Sequence, residues 1–182
     1  MAYELLQYKE QFPGLIGLSH ISLDELMRIK GIGKVKAIQI LCVVELANRM
    51  SRTTRDKGVF FVTPNDIAKF YMQELRNLNY EQVILVLLNG KNKVIKEIKL
   101  SKGTVNASLI TPREVFIYAL KYEAVNIALI HNHPSGNPKP SNSDIVVTKK
   151  VKETGKLIGI ELIDHIIIGD NIFTSLRESG LM

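Results

Sequence analysis

The chain contains one cysteine, Cys42, and no tryptophan. A single thiol excludes an intrachain disulfide and every cysteine-rich zinc framework. The residues around it, IQILCVVELA, mark Cys42 as a buried core thiol. Long apolar runs are missing as well. Even Val83 to Leu88 falls far short of the ~20 residues that cross a bilayer. The N-terminus carries Glu4, Lys9 and Glu10 and lacks the apolar centre of a signal peptide. Internal repeats and low-complexity segments are absent. These absences point to a cytoplasmic protein. What is present suits a soluble globular chain: 182 residues, 46% hydrophobic and 23% charged, enough for one domain with a sizeable core plus a small satellite. The net charge of +6 is split evenly between the residues before Gly58 and those after it, so the shorter part is denser in positive charge. That balance allows phosphate contacts without demanding them.

Read in order, residues 3–12 suit a short helix that Pro13 and Gly14 interrupt. Ser22 to Glu25 is a capping box, so a helix begins at Leu23 and stops at Gly31. Gly31-Ile32-Gly33 makes a tight turn, and a longer helix follows over about 34–50. Its residues Ile38, Leu41, Cys42, Glu45 and Leu46 are spaced as a packed face with one polar exception. The glycines of this helix-hairpin-helix let backbone approach a ligand, and N–H groups at a helix start can hold a phosphate. Arg28, Lys30, Lys34 and Lys36 surround the turn with no acidic residue among them. Residues 28–36 thus read as a DNA-backbone contact, with Gly31, Gly33, Lys34 and Lys36 its core, or equally as a glycine turn between core helices with solvated lysines.

Residues 51–58 read as a linker, dividing the chain into a helical segment, 1–58, and a larger domain, 59–182. Thr63, Pro64 and Asp66 start a helix that ends near Leu78. A strand over 81–90 ends in an Asn-Gly turn and pairs with 91–100 as a hairpin. Another strand is expected over 104–110, a helix over 112–122 and a buried strand over 124–130. A helix over 142–154 ends at Gly155, and strands over 157–163 and 165–168 close the pattern. This irregular alternation implies an α/β fold with a mixed β-sheet flanked by helices.

The stretch from Ala124 to Asp144 carries the chemistry. His131 and His133 stand at i and i+2 on a strand end, so both rings share a face and can share one ion. After a Pro/Gly loop, Asp144 can fold back as a third ligand. Two histidines and an aspartate would leave a tetrahedral position open for water, as in catalytic rather than structural zinc sites. The competing reading is a polar His-Asn-His turn, with Ser141 and Asp144 only a capping pair. The letters HNH are not those of an HNH nuclease, which spreads them over a ββα unit. A zinc deaminase needs H-x-E and P-C-x-x-C, and neither occurs.

H-x-H-P followed by S-x-x-D, as His131, His133, Pro134, Ser141 and Asp144, resembles the JAMM metalloprotease motif of JAB/MPN domains. The stretches PREVF (112–116), HNHPSGNPKPSNSD (131–144) and DHIIIG (164–169), together with the helix–GIG–helix, resemble the bacterial RadC family, the UPF0758 group. The resemblance implies a JAB/MPN, cytidine deaminase-like fold. It implies one zinc ion per chain on His131, His133 and Asp144, with Ser141 supporting an oxyanion. An upstream glutamate would move the proton. Glu81 is the best match, with Glu97 and Glu114 as alternatives. Asp164 and His165 would be supporting partners or would simply end a strand, and His165 is the one rival to Asp144 as third ligand. RadC-like proteins usually carry a further helical segment ahead of the hairpin, so the chain reads as truncated or as a short member. The implied activity is hydrolysis of amide or isopeptide bonds in a protein or peptide substrate. The alternatives are a DNA-associated, repair-linked module and a partner-binding scaffold without chemistry, though an intact ligand set argues against the scaffold.

Overall fold

The computed structural model describes residues 2–10, 14–53, 58–102 and 110–182. The chain divides into two compact units, Met1–Asp56 and Lys57–Met182. The elements among the described residues of the first are helices only: α1 (Ala2–Gln7), a 3-10 helix (Gly14–His20), α2 (Leu23–Met27) and α3 (Lys34–Thr53). Its small core is Ile21, Leu26, Ile29, Ile32 and Ala37. The capping box at Ser22 and Glu25 forms, and Lys9 Nζ donates to Glu25 Oε1 at 2.6 Å.

Four sequence expectations fail in this unit. The first helix ends at Gln7, and residues 11–13 lie outside the described set. α2 stops at Met27 rather than Gly31. There the chain tightens into turns, with Ile29 N donating to Leu26 O and Ile32 N to Ile29 O, and these turns bury both isoleucines. Cys42 is exposed. A 20-residue helix is about 30 Å long, and the short helices packed on α3 reach only its first turns. Ala37 is therefore buried, whereas Ile38 and Leu46 lie open. α3 also continues through residues 51–53, where a linker was expected, and residues 54–57 lie outside the described set.

The second unit holds α4 (Pro64–Leu75), β1 (Gln82–Leu88), β2 (Val94–Lys102), α5 (Pro112–Lys121), β3 (Asn126–Asn132), α6 (Asn142–Ile158), β4 (Glu161–Ile168) and β5 (Phe173–Ser175). The sheet order is β2-β1-β3-β4-β5. β3 and β4 pair in parallel across α6, and the other neighbouring pairs are antiparallel. The fold is thus α/β with a mixed sheet between helices. β1 is buried along its whole length because it lies between β2 and β3 and is covered on both faces. On one face Leu85, Leu87, Ile127 and Leu129 pack with Val115 and Phe116 of α5 and Val147 and Val151 of α6. On the other, Ile84, Val86, Ala128 and Ile130 pack with Ile67, Tyr71 and Leu75 of α4.

The hairpin between β1 and β2 is longer than an Asn-Gly turn. Asn92 N donates to Asn89 O, Asn89 N to Lys93 O, and it is Asn92, at φ 55°, that takes the left-handed conformation. α6 runs through Gly155 to Ile158 and ends at Gly159, whose φ of 76° makes it the cap. Gly155 answers a packing need instead: a Cβ there would collide with the Ile160 carbonyl and press on Phe116. One continuous strand, β4, replaces the two short strands expected over 157–168. The strand expected over 104–110 lies almost entirely outside the described residues. No helix among the described residues is long and apolar enough to cross a membrane.

Candidate metal centre

The register of the sheet assembles the site. Val83 pairs with His131 as the last pair of the antiparallel β1–β3 ladder, and Glu81 and His133 each stand two residues beyond that pair on their own side of the ladder. Between the two histidines, Asn132 points the other way and is buried. Its Oδ1 accepts from Gln82 N at 2.9 Å, and its Nδ2 donates to Tyr80 O at 3.0 Å. One side chain thus grips the backbone on both sides of Glu81.

Beyond β3 the loop folds onto the end of β4. His133 N donates to Ile168 O at 3.0 Å, and Asp170 N donates to Gly136 O at 2.9 Å. Gly169 makes this contact feasible, since a Cβ there would run into the Gly136 carbonyl and Pro138. The loop delivers the Asn137 carbonyl to His133 Nδ1 at 2.9 Å. A carbonyl only accepts, so His133 carries a proton on Nδ1, and its Nε2 faces His131 and Asp144. The loop ends at the capping box of α6. Ser141 N and Oγ both donate to Asp144 Oδ2, at 2.8 and 2.7 Å, and Asp144 N donates back to Ser141 Oγ.

Among the described residues, one group of three has the composition and spacing to hold a metal ion: His131, His133 and Asp144. His131 Nε2 lies 3.1 Å from His133 Nε2 and 3.5 Å from Asp144 Oδ1, while His133 Nε2 lies 3.5 Å from Asp144 Oδ2. Tetrahedral donors about 2.0–2.1 Å from one zinc ion stand roughly 3.4 Å apart, so the set fits a single ion. His131 and Asp144 are buried.

The electrostatics agree with the geometry. Burial would raise the Asp144 carboxyl, but His133, His131 and the Ser141 donors outweigh it and hold the group well below the ordinary carboxylate range. His131 is pushed well down, first by burial and then by His165. His133 is raised, chiefly by Asp144. Glu81, half-buried, is raised by burial, with the His133 charge opposing and Asp144 adding to the rise. Glu81 therefore shares the electrostatic field of the centre.

The other candidates fall elsewhere. Glu97 pairs with Val86 on the α4 face of the sheet, and its Oε1 accepts from Tyr71 Oη at 2.6 Å. Glu114 closes the α5 capping box on Thr111. Asp164 accepts from Ser175 Oγ and Arg177 N, which ties β4 to the C-terminal segment. Both ring nitrogens of His165 are engaged, Nε2 with His131 Nδ1 at 2.8 Å and Nδ1 with Thr148 Oγ1 at 2.6 Å. His165 thus backs His131 instead of joining the donor triangle. Sequence reasoning missed Asn132 and Thr148. The alternation of a strand gave the only available signal for Asn132, since a polar residue between two site residues must face a buried side. Of the hairpin residues, Gly31 has φ 88°, Lys34 is exposed, and Lys36 Nζ donates to Gly31 O at 3.1 Å.

A sequence model of the RadC-like JAB domain matches residues 61–181. The chain is 46% identical over 182 residues to a UPF0758 protein of Alkaliphilus metalliredigens, covering 100% of this chain and 78% of that one. It is 43% identical to a UPF0758 protein of Desulforamulus reducens, covering 100% and 79%. With a UPF0758 protein of Clostridium acetobutylicum it shares 46% identity over 169 residues, covering 93% and 74%. None of these names specifies an activity.

Proposed function

The chain belongs to the RadC-like JAB-domain family, and from that premise we propose that it is a zinc-dependent hydrolase of amide or isopeptide bonds. The observation that carries the reading is the convergence of three candidate donors, His131 Nε2, His133 Nε2 and an Asp144 carboxylate oxygen, within one ion's reach. Two bare imidazole nitrogens 3.1 Å apart repel each other unless a cation or a proton lies between them. A divalent cation held there supplies a lowered pKa for water and a polarised carbonyl.

The protein's own groups do the rest. Glu81 has a carboxyl raised by burial, which brings it toward the range of a useful proton carrier. It takes the proton of the attacking water and returns it to the leaving amine. Ser141 gives its hydroxyl proton to Asp144 Oδ2 in the resting site. Rotation about Cβ–Oγ turns that proton toward a substrate oxygen, while Ser141 N keeps its hold on Asp144. Glu81→Gln is expected to keep the metal and lose at least ~10²-fold in turnover of a peptide or isopeptide-linked lysine substrate. Full activity in that variant would contradict the assignment.

A second reading concerns residues 28–36. Exposed Lys30 and Lys34 flank the glycine turn, and nothing lies within 4 Å of a Cβ built on Gly33. Gly33 caps α3, its carbonyl accepting from Ala37 N, and its open face leaves room for a DNA backbone to approach. The expected result is salt-dependent DNA binding that falls when Lys34 and Lys36 are replaced by alanine. Salt-insensitive binding, or none, would remove the reading.

A further inference from the structure

We infer that Thr148 and His165 form a positioning relay that fixes the proton of His131 on Nδ1 and so keeps its Nε2 free for the ion. The inference rests on the metal-site reading and deepens it. It starts from an atom with only one possible role. The backbone carbonyl of Asp144 only accepts, and Thr148 Oγ1 lies 2.5 Å from it, one helical turn on. The single hydroxyl proton of Thr148 is therefore directed to that carbonyl. What Thr148 then shows to His165 Nδ1, at 2.6 Å, is a lone pair, so Nδ1 donates. A neutral imidazole has one N–H, which leaves His165 Nε2 as an acceptor 2.8 Å from His131 Nδ1. His131 donates there, and its Nε2 is bare toward His133 and Asp144.

Burial makes the direction of these bonds binding. Thr148, His165 and His131 are each at most 1% exposed, so solvent offers no competing partner. The relay also joins three elements, β3, β4 and α6. It begins on the backbone of one metal-binding candidate, Asp144, and ends on the ring of another, His131. The same hydrogen bonds that set the tautomer therefore hold the strand-borne ligand against the helix-borne one before any ion arrives.

The test uses the whole chain with histidine ring nitrogens labelled. The tautomer of His131 is read by long-range 1H–15N NMR in chelator-treated protein, and Zn2+ affinity is measured by competition with a chelating dye. Thr148→Val keeps the shape and removes the hydroxyl, and Thr148→Ser restores it. In the wild type, His131 is expected wholly in the Nδ1–H form. Thr148→Val is expected to lose that single tautomer and to bind Zn2+ about 10–100-fold more weakly. Thr148→Ser is expected to recover both properties. Should Thr148→Val not fold, the wild-type tautomer still decides. An Nε2–H form of His131 in the wild type, or wild-type tautomer and affinity in folded Thr148→Val, would overturn the relay. If the wild type binds no Zn2+, the metal reading fails by itself, and the tautomer of the metal-free protein still decides the relay.

Discussion

His165 has no solvent around it, and burial pushes its pKa down to about 4. In the unfolded chain a histidine titrates near 6.5. Between about 6.5 and 4 the unfolded chain therefore binds a proton that the folded chain does not, and stability in this window rises with pH. It is present above 6.5 and lost as the pH falls toward 4, by about 3 kcal/mol for this one group. His131 is shifted the same way and adds to the loss, while His133, raised by Asp144, opposes it. Denaturant unfolding of chelator-treated protein is expected to show a clearly lower stability at pH 4.5 than at pH 7. Equal stabilities would mean that these rings are solvated.

At this scale the candidate site was largely legible. His131 and His133 announce themselves by an i, i+2 spacing at the end of an apolar strand, and Asp144 by its place in a helix cap. Local geometry fixes both signals. Of the residues behind them, His165 was expected as a supporting partner, whereas Thr148 and Asn132 were not legible. Thr148 looks like any helical threonine until β4 brings His165 to it, and that contact depends on a register no local pattern encodes.

Elements show the same division. β1, β3 and β4 followed from apolar runs, and helix starts from short capping patterns, because both depend on neighbours in sequence, whereas the short strand β5 was not expected. Ends were harder to read. Gly155 reads as a stop, yet it sits inside α6 because that turn of the helix passes against the Ile160 carbonyl and Phe116. Only the packed structure distinguishes a glycine needed for space from one needed for its φ. The β1–β3 pair carries the functional consequence, since Asn132 on β3 clamps Tyr80 and Gln82 at the start of β1. Replacing Asn132 by alanine leaves Gln82 N without the acceptor it has here and frees the segment bearing Glu81. The expected cost is about 1–3 kcal/mol in denaturant unfolding, with turnover lowered and metal content unchanged. An Asn132→Ala protein that lost its metal and kept the rate of any residual loaded fraction would place Asn132 in ligand support instead.

In the whole molecule, the larger unit turns a sheet with two covered faces into a rigid frame, and the site lies where β3, β4 and the first turn of α6 meet. Rigid elements on three sides are what a preformed metal site requires. The smaller unit has a modest core, and α3 outruns it, so the apolar spacing of that helix misled about Cys42. The central claim is that the three donors hold one ion. Elemental analysis of protein purified without chelator tests it most directly, with Asp144→Asn and the double variant His131→Ala, His133→Ala alongside. The expected result is one zinc ion per wild-type chain, a much reduced content in Asp144→Asn and none in the double variant. A wild type without metal, or a double variant that keeps a full equivalent, would contradict it.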